Sequence, residues 1–240
     1  MAQIGNQDYL SAGYVLTQSV RLLPEQVDPL PPEILSLSSE VASCVPDTWA
    51  LEWTAYSVAE RRTAADRFAI APTDLEAVIR WVTARFDAGE FGWPCVFYSL
   101  DLARTFIQTF LSHATDLALL GMGVQRDIAP AFVEANTPPP GIGAWGYVDM
   151  LQRREALPPG GEPLGFEVVG LGVGALYSWL SNGWERLACR ELTVCPGRFG
   201  LVGTFEEGMK AATHRYPPDT EQEVATLWQP WLVVRYPLAG

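Results

Sequence analysis

The sequence predicts an α+β protein in which a mixed β-sheet of about five strands packs against helices. Apolar residues make up 48% of its 240 residues and charged residues only 18%, which is enough for a large buried core. Stretches with strand-like alternation interleave with stretches that begin with helix caps, and no segment repeats. We therefore expect residues 1–240 to form a single α+β domain.

In the N-terminal half, β-branched residues and partial alternation predict a first strand at residues 13–23. The prolines at 29–32 predict a helix that ends near Ser43, because proline is tolerated in a first helical turn. A second strand is predicted at 49–56, with Trp49 and Trp53 on one face. Capping boxes open two further predicted helices, at 57–68 and 73–87. The elements predicted after them are a short strand at 95–98, a helix capped by Ser99, a strand at 117–124 and a helix at 128–134.

A Pro/Gly-rich stretch at residues 136–144 is a candidate subdomain boundary, because prolines extend a chain and glycines loosen it. Whether residues 144–240 form a separate domain is left open, since their strands look too few for a sheet of their own. The elements predicted after this stretch are a helix at 147–155, a strand at 165–170, a helix at 176–191, a helix at 204–214 opened by a third capping box, and a strand at 231–236.

The chain carries 28 acidic and 16 basic residues, a net charge of −12, and no lysine- or arginine-rich run. Binding to nucleic acid is therefore not expected, because neutralising phosphates needs clustered cations. An acidic surface attracts a basic protein partner and raises its association rate. The alternative is that the acidity only keeps the protein soluble.

The first residues have neither a basic start nor an apolar run of signal-peptide length, and no stretch is apolar enough to span a membrane. We therefore expect a cytoplasmic protein with no membrane partner. There, the cysteines would be reduced and would act as small buried hydrophobic side chains. These cysteines are Cys44, Cys95, Cys189 and Cys195.

Gly170, Gly172 and Ala175 match the pattern G-x-G-x-x-A, which forms the phosphate-binding turn of dinucleotide-binding folds. They follow a predicted strand and precede a predicted helix, and Glu191 lies about where an acid would bind the ribose. The alternative is a glycine turn that lets a helix pack closely on a strand. The prolines that follow and the place of Glu191 near a helix end favour this alternative, so no cofactor is expected.

Catalytic and metal-binding patterns are absent from the sequence. The two histidines, His113 and His214, have no neighbours at metal-ligand spacing, and there is no P-loop, kinase signature or G-x-S-x-G elbow. A Cys–His pair formed across the fold stays open, as does carboxylate catalysis by Asp149, Glu167 or Glu185. The sequence therefore favours a protein that is not an enzyme and holds no metal.

Nine tryptophans are the main recognition signal, because tryptophan buries a large area and its N–H can bind a partner. Core packing is the alternative for each of them. Trp228 and Trp231 flank a proline at a predicted strand entrance and are candidates for a pocket wall. With Trp179 and Asn182 they form the predicted binding residues.

Four apolar and aromatic segments follow one another in the C-terminal third, at residues 165–170, 177–185, 199–202 and 228–236. In this order they resemble a group of uncharacterised bacterial cytosolic proteins. Some of those are similar to the immunity proteins that accompany secreted polymorphic toxins. Tyr177 and Ser181 stand where a histidine and a cysteine would be expected from this resemblance. The resemblance implies a binding protein and names no ligand.

We therefore expect a non-catalytic binding protein, most specifically an immunity-type inhibitor that occludes a toxin protein through an acidic, tryptophan-bearing surface. The alternative from another class is a small-molecule enzyme or dinucleotide binder that uses the turn at residues 170–175. A third possibility is a structural subunit of a larger assembly, which would expose an apolar patch.

Overall fold

The computed structural model describes residues 8–38, 41, 44–45, 70, 73–93, 96–138, 145–172, 176–180, 183–214 and 227–239. The strands are β1 (Tyr9–Gln18), β2 (Val20–Arg21), β3 (Glu33–Ile34), β4 (Cys44–Val45), β5 (Phe91–Gly92), β6 (Val96–Phe97), β7 (Leu117–Gln125), β8 (Glu162–Leu171), β9 (Leu176–Ser178) and β10 (Trp228–Tyr236). The α-helices are α1 (Leu75–Asp87), α2 (Leu100–Phe110), α3 (Ala129–Asn136), α4 (Gly146–Arg153), α5 (Trp184–Leu192) and α6 (Phe205–Thr213), and a 3-10 helix spans Pro24–Gln26.

The described strands form one large sheet and one small one. Seven strands follow the order β5-β6-β1-β7-β10-β8-β9, β4 pairs with β1 off this path, and β2 pairs separately with β3. The α+β class is confirmed, but the prediction of about five strands is wrong. The prediction of a mixed sheet is also wrong, because the paired strands all run antiparallel. The extra strands have two or three residues each, too few for an alternating pattern to be recognised.

Both faces of the large sheet are covered, which explains why its central strands are apolar along their whole length. Alternate residues of β1 and β10 point into two separate core clusters. One cluster includes residues of α1, α2, α5 and α6, and we refer to this side as the first face. The other includes residues of α3 and α4 and is the second face.

Three predictions from the sequence, two of helices and one of a helix cap, are wrong. The helix predicted from 29–32 to Ser43 does not form as predicted, because Glu33–Ile34 are a strand that pairs with β2. The helix predicted at 176–191 begins only at Trp184, and its first residues are strand β9. The capping box predicted at residues 73–76 is absent, since Asp74 caps α1 without a side-chain hydrogen bond. The elements predicted at 49–56 and 57–68 lie outside the described residues.

Strands from both sides of the Pro/Gly-rich stretch pair within the large sheet. β10 lies between β7 and β8, so residues 228–236 complete a sheet that also contains residues 117–125. Residues 139–144 themselves lie outside the described part of the chain. Within that part, no helix has both the length and the apolar character needed to cross a bilayer.

Candidate functional site

Glu167, in the middle of β8, is a completely buried acid on the second face of the sheet. Its carboxylate accepts three hydrogen bonds, two of them at Oε1. Ser36 Oγ donates to Oε1 at 2.5 Å and Ser178 Oγ donates to it at 2.6 Å, while the Leu37 backbone N–H donates to Oε2 at 2.7 Å. The acid therefore connects the segment after β3 with β8 and β9.

The two serines are oriented by backbone donors. The N–H of Ser38 donates to Ser36 Oγ at 3.0 Å, and the N–H of Leu180 donates to Ser178 Oγ at 3.2 Å. Each hydroxyl thus accepts a hydrogen bond from a backbone N–H and donates its own hydrogen bond to Glu167. Burial raises the pKa of the Glu167 carboxyl, and the hydrogen bonds from Leu37, Ser178 and Ser36 act in the opposite direction.

A carboxylate beside two serine hydroxyls has the residue types of a nucleophile and its base. However, Glu167, Ser36 and Ser178 are each 0% exposed, so no substrate can reach them in this conformation. The arrangement instead satisfies a buried charge with donors, as the interior requires. We conclude that it fastens the segment at residues 35–38 to the sheet. Its only sequence signal is one acid within an apolar strand.

The other two acids considered for catalysis belong to helices that pack on opposite faces of the sheet. Asp149 on α4 accepts a hydrogen bond from Tyr98 Oη at 2.9 Å, and the Arg153 guanidinium lies 4.4 Å from the centre of the Tyr98 ring. Burial, followed by this hydrogen bond, raises the pKa of the Tyr98 phenol. Glu185 on α5 is 3% exposed, and burial raises the pKa of its carboxyl. The described residues thus contain no solvent-accessible set of these acids.

Two of the four predicted binding residues are completely buried. Trp179 and Trp231 are both 0% exposed. Trp231 packs against Phe132 at 4.9 Å and Tyr147 at 5.7 Å between ring centroids, in the core of the second face. The prediction that Trp179 and Trp231 contact a partner is therefore wrong for this conformation, because helices cover both faces of the sheet.

Of the remaining two predicted binding residues, Trp228 is half-buried, and its ring centroid lies 4.5 Å from that of the buried Trp184. This pairing leaves part of the Trp228 ring open to solvent. Asn182 lies outside the described residues.

The glycine-rich turn does not have the strand–turn–helix geometry of a dinucleotide site. Gly170 and Leu171 end β8, and Leu171 pairs with Leu176 of β9 in an antiparallel hairpin. Gly172 follows β8 directly, and Ala175 lies outside the described residues. A phosphate would therefore not meet a helix N-terminus here.

Glu191, the predicted ribose ligand, is exposed near the end of α5. Its Oε2 lies 3.0 Å from Nε2 of His214, the residue that follows α6, so the two side chains are hydrogen-bonded to each other. Glu191 lies on a helix, and the strand that follows the glycines pairs antiparallel with β8. Glu191 therefore does not end a parallel second strand, as a ribose-binding acid of a Rossmann fold would.

The prediction that the cysteines are reduced is wrong for one pair. Cys189 of α5 and Cys195, which follows it, are joined by a disulfide. Within the described part of the chain, no group of three or more His, Cys, Asp or Glu side chains is arranged to hold a metal ion.

A cleft of about 460 Å³ opens between α3 and α4, where β1 begins and β7 ends. Leu10, Val133 and Leu151 supply apolar lining, and Arg126 and Arg154 supply two cations. The combination of apolar walls with a few polar groups is typical of a recognition cleft. Sequence analysis missed it because its residues come from four separate elements.

Exposed acids surround this cleft. Asp8 O accepts a hydrogen bond from the Arg126 N–H at 3.0 Å, which places Asp8 beside the lining. Burial and then the charges of Asp8, Glu206 and Asp127 raise the pKa of the Tyr9 phenol. We refer to the following exposed acids, which line the cleft, adjoin its lining residues in the chain or act on Tyr9 of β1, as the acidic end: Asp8, Asp127, Glu134, Glu155 and Glu206.

Comparison of this chain with family models, with curated proteins and with solved structures finds no match.

Proposed function

We propose that this protein is a non-catalytic binding protein of the immunity type, which occludes a basic toxin protein through the acidic end and the α3/α4 cleft. The observation that carries the proposal is a cleft with apolar and arginine side chains in its lining, with exposed acids in it, beside it in the chain and near Tyr9 of β1. A cleft of this kind accepts an anchoring side chain, and the acids around it attract a basic partner over long range.

The chemistry of the described side chains agrees with binding rather than turnover. The serine and carboxylate trio around Glu167 is sealed in the core and serves to hold a segment in place. The proposal also draws on the resemblance of the C-terminal third to relatives of immunity proteins. It differs from the sequence-based expectation in one respect, because the recognition surface is the acidic end and not Trp179 and Trp231.

Arg126 and Arg154 give the cleft selectivity. Two cations inside an acidic surround favour a partner that presents a basic face with an acidic residue at its centre. A uniformly basic molecule places like charge against Arg126 and Arg154, which weakens its binding. The proposal therefore predicts one partner protein rather than general binding of polycations.

The test is a charge reversal with a matched control. The double variant Asp8→Lys/Asp127→Lys changes two acids of the acidic end, and Glu33→Lys/Asp87→Lys makes the same change in charge at exposed positions elsewhere. Binding to the basic proteins encoded by the adjoining genes is measured by calorimetry, and protection is measured as growth during their co-expression. We expect affinity to fall about tenfold or more in the first variant only, mainly through slower association.

Equal loss of affinity in both variants would show that only the net charge matters. Tight binding and full protection by the Asp8→Lys/Asp127→Lys variant would exclude the acidic end as the recognition surface. Absence of any binding to the basic proteins of the adjoining genes by the unmodified protein would contradict the immunity-type proposal itself.

A further inference from the structure

The disulfide between Cys189 and Cys195 lies at the surface, where a dissolved molecule can reach it. Cys195 is exposed and Cys189 is half-buried on α5, with 4.3 Å between their Cα atoms. The two cysteines are six residues apart, so the bond closes a short ring at the C-terminal end of the helix. An exposed disulfide is the kind that exchanges with small thiols.

Cys189 also lines a second cleft, of about 460 Å³, that carries positive charge. Arg186 and Arg190 line this cleft with Cys189, and Asp28 is the acid among them. Arg190 forms no ion pair with any described residue, and Arg186 Nε lies 3.8 Å from Glu185 Oε1. Two guanidinium groups on one helix face can bind carboxylates and also stabilise a thiolate beside them.

The ring closed by the disulfide contains a residue in an unfavourable backbone conformation. Thr193 has a φ of 56°, in the left-handed region that a β-branched side chain rarely adopts. Val194, the next residue, is 1% exposed and anchors the ring to the core. Thr193 is also the C-cap of α5, and the N–H of Val194 donates to Ala188 O at 3.2 Å, so the ring closes directly on the end of the helix.

We propose that Cys189–Cys195 is a thiol–disulfide exchange site for small anionic thiols, which bind by their carboxylates to Arg186 and Arg190. The site lies on α5 and does not share residues with the acidic end, so it is independent of the proposed toxin binding. The class of ligand follows from the charge of the cleft, because a cationic thiol would be repelled by the two arginines.

The exchange proceeds in two balanced steps. The thiolate of the small thiol, held in the cleft, attacks Sγ of Cys189, which lines it; a new S–S bond forms, and the Sγ–Sγ bond breaks with its electron pair going to Cys195 Sγ. A second small thiolate then attacks the sulfur of the bound thiol and displaces the Cys189 thiolate, which lies beside Arg186 and Arg190. The two cysteines gain two electrons and take up two protons from solvent, while two small thiols become one small-molecule disulfide.

The experiment compares three thiols of different charge as reductants of the purified, oxidised protein. Glutathione is anionic, 2-mercaptoethanol is neutral and cysteamine is cationic, and rate constants are expressed per thiolate from timed alkylation and mass spectrometry. The test variant is Arg186→Gln/Arg190→Gln, and the matched control is Arg21→Gln/Arg80→Gln, which removes two exposed arginines elsewhere. We expect glutathione to react about tenfold slower with the test variant, and 2-mercaptoethanol to react within about twofold of its rate with the unmodified protein.

Salt dependence of the unmodified protein provides a second readout that needs no variant. Added salt should slow glutathione and accelerate cysteamine, because screening weakens attraction and repulsion alike. Equal rate constants for the anionic and cationic thiols, or unchanged glutathione kinetics in the test variant, would overturn the proposal. It would also be overturned if the protein oxidised in air still titrated with four free thiols.

Discussion

Replacing Ser36 by alanine tests the role assigned to the buried Glu167. The substitution removes one hydroxyl that donates to Glu167 Oε1 at 2.5 Å and accepts from the Ser38 N–H at 3.0 Å. A hydrogen bond to a charged group contributes about 1.5–3 kcal/mol and one to the backbone about 0.5–1.5 kcal/mol. We therefore expect Ser36→Ala to lower the free energy of unfolding by about 2–4 kcal/mol.

The pairwise part of this loss is isolated by a double-mutant cycle with Glu167→Leu. In the leucine background the charged acceptor is gone, so Ser36→Ala should cost about 1.5–3 kcal/mol less than in the unmodified protein. The loss should also grow with pH above 4.5, the ordinary value for a glutamate. The reason is that burial raises the pKa of Glu167, and the Ser36 donor stabilises the ionised form that appears as pH rises.

Urea unfolding followed by circular dichroism measures these differences. Ser112→Ala is the matched control, because Ser112 is exposed, and its effect should stay within about 0.5 kcal/mol. A coupling energy below about 0.5 kcal/mol between Ser36 and Glu167 would refute the fastening role. So would a Ser36→Ala effect equal to that of Ser112→Ala.

Two further predictions concern backbone geometry and surface charge. Gly13→Ala should lower stability more than Gly160→Ala by about 1–3 kcal/mol in the same urea assay, because both glycines have positive φ but only the Cβ at 13 would lie 2.2 Å from Val96 Cγ1; equal effects would contradict the observed packing. Glu162→Gln should make the thermal midpoint less sensitive to acid below pH 4.5, since a hydrogen bond from Arg235 lowers the pKa of Glu162. A carboxyl whose folded-state pKa is lowered stabilises the protein above pH 4.5, and this contribution is lost as the pH falls. An unchanged acid transition in the Glu162→Gln variant would therefore count against the hydrogen bond from Arg235.

Local sequence signals predicted several of the long elements. The strand predicted at 117–124 is confirmed as Leu117–Gln125, and the helix capped by Ser99 is confirmed with the Leu102 N–H bound to the Ser99 hydroxyl. The capping box that opens α6 is likewise confirmed. Such features depend on residues a few positions apart, so periodicity and cap chemistry determine them.

Features that depend on distant residues were not predicted. Ser36 lies 131 residues from Glu167 in the chain, and no local pattern relates them. The same holds for Trp231, whose burial follows from α3 and α4 packing over β10 and could not be inferred from the neighbouring Pro230. The acidic end was not predicted, because its acids come from the ends of several elements that only the fold brings together.

Hydrogen–deuterium exchange of the complex with the basic protein of an adjoining gene tests the central proposal most directly. Occlusion through the acidic end predicts slower amide exchange at the start of β1, at residues 126–134 and at residues 151–155, with α1 unchanged. A complex that forms while these segments exchange as in the free protein would contradict it.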